Sequence, residues 1–201
     1  MKNDKPFSQE LEEWLKSKKP KTLGGLQDVF GERSFALAFI LLLFLPALPI
    51  PTGGITHIVL LPIAMLLALE MIVARRTIWL PKRWEKHSLG VTTQKKALPF
   101  ILKRIRWVER YSRPRFAGLL DRTIMRSLIG FVIFGFSLAA FLAPPFSGLD
   151  TLPSMGGVVV ALSIVFEDVV VLIGGVIIGC LGIGLTIGVG DVLLTLIRQI
   201  F

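Results

Sequence analysis

The chain has 201 residues, of which 53% are hydrophobic and 18% are charged, and its mean hydropathy is +0.69. A soluble domain carries roughly 25% charged residues, so the composition argues against an ordinary soluble domain and favours an integral membrane protein. The net charge of +9 is concentrated between residues 75 and 126. A basic segment between two apolar regions is explained by membrane topology, and nucleic-acid binding is not expected.

Residues 1–33 form a polar N-terminal segment that we expect to be cytoplasmic. Charges run through its first 21 residues and leave no short apolar core, so no cleavable signal is expected. The stretch SQELEEWLKSKKPK has its acids at the beginning, where the helix dipole favours negative charge. It predicts a short surface helix that ends near Pro20.

Residues 34–74 form the first predicted membrane repeat, in which Glu70 is the one charged residue. The apolar run from 35 to 48 is shorter than the about 20 residues that a crossing requires, whereas the run from 55 to 74 is long enough. Between them, LPALPIPTGGITH has three prolines and two glycines but no charge. Such a break is typical of a discontinuous or re-entrant helix, and an ordinary hairpin with a Pro-rich turn has the same pattern.

Residues 75–126 form a basic connector, with fifteen Lys or Arg residues against three acids. Its charge predicts a cytoplasmic location and contact with anionic lipid headgroups. Its apolar and aromatic residues are spaced as in an amphipathic helix on a membrane surface, and a packed cytoplasmic cap fits the spacing equally well. The candidate headgroup residues are Arg75, Arg76, Trp79, Arg83 and Trp107.

Residues 127–201 form the second predicted membrane repeat and a Gly-rich C-terminal helix. An apolar run from 127 to 143 stops at the break LAPPFSGLDTLPS, and a shorter run from 156 to 166 stops at Glu167-Asp168. The helix that follows has glycines at a density that allows close packing in lipid.

The two repeats resemble each other. Ser127 follows Ser34 by 93 residues and Glu167 follows Glu70 by 97, which fits a longer break in the second half. The sequence leaves open whether the repeats are parallel or inverted. Paired Pro/Gly interruptions are typical of a transporter's binding site, and exposed helix N-termini at a break offer N–H donors to an anion. The candidate substrate residues are Pro49, Pro51, Thr52, Gly53, Gly54, Thr56, His57, Pro144, Pro145, Ser147 and Asp150.

Three acids are candidates for proton coupling, because a carboxylate inside a membrane is costly and therefore a functional candidate. Glu167 and Asp168 are adjacent, so burial and mutual repulsion would raise the pKa of one of them; the alternative is a short cytoplasmic turn. Glu70 is the third, with an interfacial pair to Arg75 or Arg76 as its alternative. His57 could titrate near neutral pH or act as a structural hydrogen-bonding group.

The residue inventory argues against an enzyme. Two histidines and one cysteine leave no intrachain disulfide and no multi-cysteine metal site. The sequence contains no phosphate-binding GxxxxGK[ST] loop and no HExxH pair. We therefore expect no catalytic residues, no metal and no cofactor.

Five stretches resemble the ExoD family of bacterial exopolysaccharide-synthesis membrane proteins. They are GERS at 31–34, LPALPIPTGGIT, ARRTIWLPKRW at 74–84, LAPPFSGLDTLPS and VFEDVVVLIGG, and the resemblance runs from about Leu23 to the C-terminus. It implies a role in making or exporting surface polysaccharide.

Together these features predict an all-α polytopic protein of the bacterial inner membrane, with two similar halves joined by a basic connector. We expect a transporter or flippase-like protein that handles an anionic lipid phosphate, such as polyprenyl phosphate, with proton coupling. Alternatives are a non-catalytic scaffold for polysaccharide synthesis and a small-ion or proton antiporter. The expected partners are membrane lipids, polysaccharide-synthesis proteins and a second copy of the chain.

Overall fold

The computed structural model describes residues 7–17, 30–49, 54, 56–75, 78–79, 102–103, 105–106, 122–144 and 147–200, and these are helical with short connections. The α-helices are α1 (Phe7–Lys16), α2 (Ser34–Phe44), α3 (Leu61–Ile72), α4 (Thr123–Leu142), α5 (Thr151–Phe166) and α6 (Val169–Ile200). A 3₁₀ helix, Gly31–Arg33, leads into α2, and a π-helix, Thr56–Leu60, leads into α3. The all-α prediction is confirmed for the described part of the chain.

Helices α2 to α5 form a four-helix ring, in which α2 and α4 each pack against both α3 and α5. Arg33, just before α2, contacts Glu167, just after α5, so these two helices are antiparallel. His57, just before α3, contacts Ala143, just after α4, so this pair is antiparallel as well.

The ring therefore has two chemically different ends. The polar end holds the beginnings of α2 and α4 and the last turns of α3 and α5, with Arg33, Glu70 and Glu167. The break end holds the two Pro/Gly breaks, which are the described residues of 45–57 and of 143–150.

The four helices of the ring differ in what they expose. Helix α2 is apolar on every side and is buried from Ser34 to Ile40, so it forms the centre of the fold. Helix α5 is largely buried beside it. Helices α3 and α4 of the ring, and α6 beside it, expose large apolar side chains, among them Leu66, Leu69, Ile124, Phe131, Ile177 and Leu181. Two helical stretches, Thr123–Leu142 and Val169–Val189, are long and apolar enough to cross a membrane, as judged by length and composition.

Helix α6 packs against α5 through glycines, so that the two backbones touch. A Cβ on Gly156 would lie 2.5 Å from the Cα of Gly179, and a Cβ on Gly175 would lie 2.7 Å from the backbone nitrogen of Val160. Small residues allow this approach, which suits helices that associate in lipid.

Helix α1 is the short N-terminal helix that the sequence predicts, and it covers the polar end with an apolar face. Leu11 and Trp14 are buried in the core, and the Trp14 ring meets Phe30 edge to face at 5.9 Å. From the connector, Leu102 and Ile105 are buried in the same core. These connector residues pack on protein, which favours the packed cap over the membrane-surface helix at this point.

Two helices begin earlier than the apolar runs indicate. Helix α4 begins at Thr123, inside the predicted connector, because Met125 and its neighbours continue the helical pattern before residue 127. Helix α5 begins at Thr151 rather than Gly156, since Pro153 lies in its first turn, where proline breaks no intrahelical hydrogen bond.

Candidate functional site

An ion pair between the residue before α2 and the residue after α5 lies at the polar end. Nη2 of Arg33 donates to Oε1 of Glu167 at 2.7 Å, and Nη1 of Arg33 lies 3.9 Å from Oε2 of Glu10 on α1. The side chains of Arg33 and Glu167 are 32% and 14% exposed, so water screens this pair only in part. Arg33 thus links α1, α2 and the turn between α5 and α6.

Glu167 occupies a strained backbone position. It ends α5 with a φ of 52°, in the left-handed region, and its N–H donates to the carbonyl of Ser163. A non-glycine residue in this region costs about 1–2 kcal/mol. The tight turn allows α6 to start two residues later and places the Glu167 carboxylate beside Arg33.

Asp168 has a structural contact that the sequence does not reveal. It is 2% exposed, and its Oδ1 accepts the N–H of Val170 at 2.9 Å. This is the geometry of a helix N-cap, and the negative charge also suits the positive end of the α6 dipole. Glu167 and Asp168 therefore form a two-residue turn between α5 and α6.

Glu70, the third candidate acid, has a local partner. It lies in the last turns of α3, and its Oε2 accepts the backbone N–H of Trp79 at 2.8 Å. Within the described part of the chain, no ion pair joins it to Arg75. Arg75 and Trp79 are both exposed.

His57 joins the two breaks at the other end of the ring. Its Nε2 lies 3.2 Å from the carbonyl oxygen of Ala143, and its Nδ1 lies 3.2 Å from Oγ1 of the buried Thr56. Gly54 and Gly148, one in each break, have φ values of 81° and 72°, which glycine adopts at no steric cost. The structure thus brings Thr56 and His57 against the second break.

The other predicted break residues divide into described and undescribed positions. Ser147 is exposed, and its Oγ donates to the carbonyl of Pro144 at 2.7 Å. Pro49 and Pro144 are exposed and Asp150 is half-buried. The predictions for Pro51, Thr52, Gly53, Pro145, Arg76, Arg83 and Trp107 concern residues outside the described ranges.

Sequence reasoning missed two residues of interest. Arg33 was not identified as the partner of Glu167. Ser137 is fully buried, and its Oγ atom has no hydrogen-bond partner among the described residues. A hydroxyl inside an apolar helix was the available signal for Ser137. Ser154, which the sequence indicates as a polar group at the second break, is fully buried as well. No group of three or more His, Cys, Asp or Glu side chains in the described ranges is placed to hold a metal ion.

Comparison with known proteins gives one family and one relative. The family described as "Exopolysaccharide synthesis, ExoD" matches residues 7–188. An uncharacterized protein of Synechocystis sp. is 24% identical over 155 residues, which cover 74% of this chain and 70% of that protein. No solved structure gives a significant match.

Proposed function

We propose a function from the premise that this chain belongs to the ExoD family of exopolysaccharide synthesis. Within that process, we propose that it is a non-enzymatic transporter or flippase-like protein. Its substrate would be an anionic lipid phosphate such as polyprenyl phosphate, and its movement would be coupled to protons.

The helix lengths support insertion in a membrane with the breaks at membrane depth. Helix α2 has 11 residues and α5 has 16, or about 16 Å and about 24 Å. Helix α4, which leads into the second break, has 20 residues, but Arg126 lies in its first turn, and the uncharged part after it has 16 residues, or about 24 Å. These three lengths are all shorter than a hydrocarbon core of about 30 Å. In contrast, the apolar stretch Val169–Val189 of α6 has 21 residues, or about 31 Å.

The register between α5 and α6 supports the same placement. Gly182 of α6 packs against Pro153 at the break end. Val169 lies thirteen residues before Gly182, and the apolar stretch of α6 continues for seven residues after Gly182, to Val189. The break end would therefore lie about 20 Å from one end of the α6 stretch and about 10 Å from the other. We propose that both hairpins are re-entrant and enter from the cytoplasmic side of the inner membrane.

Cysteine labelling would separate re-entrant from ordinary hairpins. Cys180 is the single cysteine, so Cys180→Ser gives a cysteine-free background. Added to it, Lys16→Cys should react with an impermeant maleimide from the cytoplasmic side. Ser147→Cys should react poorly from either side of a re-entrant hairpin. Rapid reaction of Ser147→Cys from the periplasmic side would show an ordinary hairpin instead.

Charge separates the two ends of the ring in a way that suits a lipid phosphate. Lys and Arg are absent from residues 34–74 and 127–197. The described cations at or near the polar end include Arg75, Lys103 and Arg122, which are exposed. Such residues attract anionic headgroups at a membrane surface.

The Arg33–Glu167 pair is the observation that carries the proposal. It is partly buried, joins the residue before α2 to the residue after α5 and contains a titratable carboxylate. Protonation of Glu167 would remove its charge and leave Arg33 next to Glu10, at 3.9 Å. Proton uptake would thus loosen one contact between the halves, as coupled movement requires.

Movement of a labelled short-chain polyprenyl phosphate in proteoliposomes tests the proposal. We expect movement that a pH gradient accelerates and that Glu167→Gln makes independent of the gradient. Glu70→Gln is the matched control, because Glu70 contacts the nearby backbone N–H of Trp79 in the connector and not the second half. Absence of movement by folded, inserted protein would contradict the proposal and favour a scaffold or an ion antiporter. Association with a second copy and with polysaccharide-synthesis proteins is part of the proposal.

A further inference from the structure

Glu70 holds the start of the connector against the end of α3 by two bonds. The chain leaves α3 through Ala74, which has a φ of 60° in the left-handed region, and the N–H of Arg75 donates to the Glu70 carbonyl at 3.1 Å. This is the bond that closes a Schellman turn. In addition, Oε2 of Glu70 accepts the backbone N–H of Trp79 at 2.8 Å. Glu70 therefore fixes the connector backbone at residue 75 and again at residue 79.

This arrangement leaves the indole of Trp79 exposed. Ile78 is 8% exposed and belongs to the hydrophobic core, whereas Trp79 is 64% exposed. Ile78 thus packs on the protein, while the next side chain faces the surroundings. Tryptophan is highly buried on average in folded proteins, so an indole that the backbone holds in an exposed position indicates a partner outside the chain.

The surface around Trp79 changes from apolar to charged. Leu66 and Val73 are 62% and 73% exposed, and Glu70 lies between them on the same side of the helix. Arg75, which follows, is exposed as well. An exposed apolar side that ends in a carboxylate and a guanidinium matches the boundary between hydrocarbon and headgroups. Tryptophan is enriched at this boundary, because its ring is apolar and its N–H needs a polar partner.

We propose that Trp79 is an anchor in the headgroup region of the bilayer and that Glu70 is the residue that positions it. The inference rests on the proposed function for the placement of the polar end at the membrane surface. The partner is the bilayer itself, with anionic lipid preferred because Arg75 is exposed next to the same turn.

This placement gives the acids of the two predicted repeats different roles. The Glu70 carboxylate lies at the interface, where a charge avoids the cost of burial in hydrocarbon. It sets the depth of the first hairpin in the membrane through Trp79, whereas Glu167 links the end of α5 to the start of α2.

Quenching of Trp79 fluorescence by brominated phospholipids in proteoliposomes tests the anchor. The chain has four tryptophans, so the Trp79 signal is the part of the emission that Trp79→Phe removes. We expect bromine near the headgroup end of the acyl chain to quench this signal more than bromine near the methyl end. Brominated phosphatidylglycerol should quench it more than phosphatidylcholine with the same bromination, and Arg75→Gln should reduce that preference.

Substitution of Glu70 tests the positioning. Glu70→Ala removes the acceptor and should lower the ratio of interfacial to displaced indole by about 2- to 10-fold, the loss of one hydrogen bond. Glu70→Gln should keep the quenching of the parent protein, because an amide oxygen accepts the same N–H. In the Trp79→Phe background, Glu70→Ala should leave the remaining emission unchanged. Asp150→Ala, at the break end, is the control for loss of an acid elsewhere and should leave the Trp79 signal unchanged.

Three results would overturn the inference. One is Trp79 quenching that is the same in Glu70→Ala as in the parent protein. Another is quenching of Trp79 by aqueous iodide and by neither brominated lipid, which would place the indole in water. The third is an equal effect of Glu70→Ala on the other tryptophans, which would show that Glu70 holds the fold as a whole. Lipid quenching that depends on residue 70, in a protein that moves no lipid phosphate, would support the anchor while contradicting the transport proposal.

Discussion

The two ends of the four-helix ring are held together by different forces. At the polar end, charged side chains from distant parts of the chain meet, with Arg33 between Glu167 and Glu10. At the break end, His57 contacts a backbone carbonyl of the opposite half, and α5 meets α6 backbone to backbone near Gly156. Ion pairs thus hold the polar end together, and close packing holds the break end together.

This difference indicates which end responds to which condition. An ion pair weakens with salt and with protonation of its acid. Close packing of glycines has no such dependence, because it rests on contact and shape. The polar end is therefore the end that a proton can loosen, and the break end moves only if packing is exchanged for contact with a ligand.

The largest effect is expected from adding a methyl group near the break end, where the backbones of α5 and α6 are in contact. Gly156→Ala places a methyl group 2.5 Å from the backbone of Gly179, so α5 and α6 must separate. We expect a loss of about 2–3 kcal/mol in the free energy of unfolding, at low and at high salt alike. Gly174→Ala is the control, because a Cβ there meets nothing within 4 Å, and it should stabilise by about 0.5–1 kcal/mol. Equal midpoints for the two variants would contradict the packing account.

The second largest effect is expected from removing the Arg33–Glu167 ion pair at the polar end. Arg33→Gln and Glu167→Gln should each lower the free energy of unfolding by about 1.5–3 kcal/mol, the range of a hydrogen bond to a charged group. High salt should reduce the difference in the free energy of unfolding between each variant and the parent protein. The exchange R33E/E167R should restore only part of the lost free energy of unfolding, because Glu10 would repel the carboxylate placed at position 33. A double-mutant cycle with additive losses would show that the pair contributes nothing.

The positions at which the helices end can be predicted from the sequence, but the contacts between the helices cannot. The charge-free breaks, the short run before Pro46 and the acidic step at Glu167 indicate where the helices end, because each is a local signal. Arg33 and Glu167 are 134 residues apart, and only tertiary packing brings them together. The same holds for Ser154, whose burial depends on α2 and α6. The start of α5 was missed because Pro153 resembles a break when read without its position in the helix.

Glu70 also lies at the polar end, and we expect its substitution to have a smaller effect on stability than the substitution of Glu167. Glu70 corresponds to Glu167 in the predicted repeat, yet among the described residues it accepts one backbone N–H, from Trp79. Because the amide oxygen of glutamine also accepts this bond, Glu70→Gln should change the free energy of unfolding by less than about 1 kcal/mol. The measurement is unfolding beside Glu167→Gln under one set of conditions. A loss as large as that of Glu167→Gln would show that the two acids are equivalent and that the repeat is symmetric in energy.

The smallest effect is expected at Glu12, where α1 meets the connector. A hydrogen bond from Lys16 lowers the pKa of Glu12 below its ordinary value of 4.5, the nearby Arg106 adds to this, and desolvation opposes it. A lowered pKa means that the contact stabilises the folded state fully above pH 4.5 and loses this contribution as the pH falls through the folded-state value. The effect should be small because solvent screens exposed pairs. Hydrogen exchange of the α1 amides should accelerate below about pH 4.5, relative to intrinsic rates, and less so in Glu12→Gln. The same acceleration in both proteins would assign the acid response to another group, with Glu167 next to be tested, because its charge holds the same end of the ring.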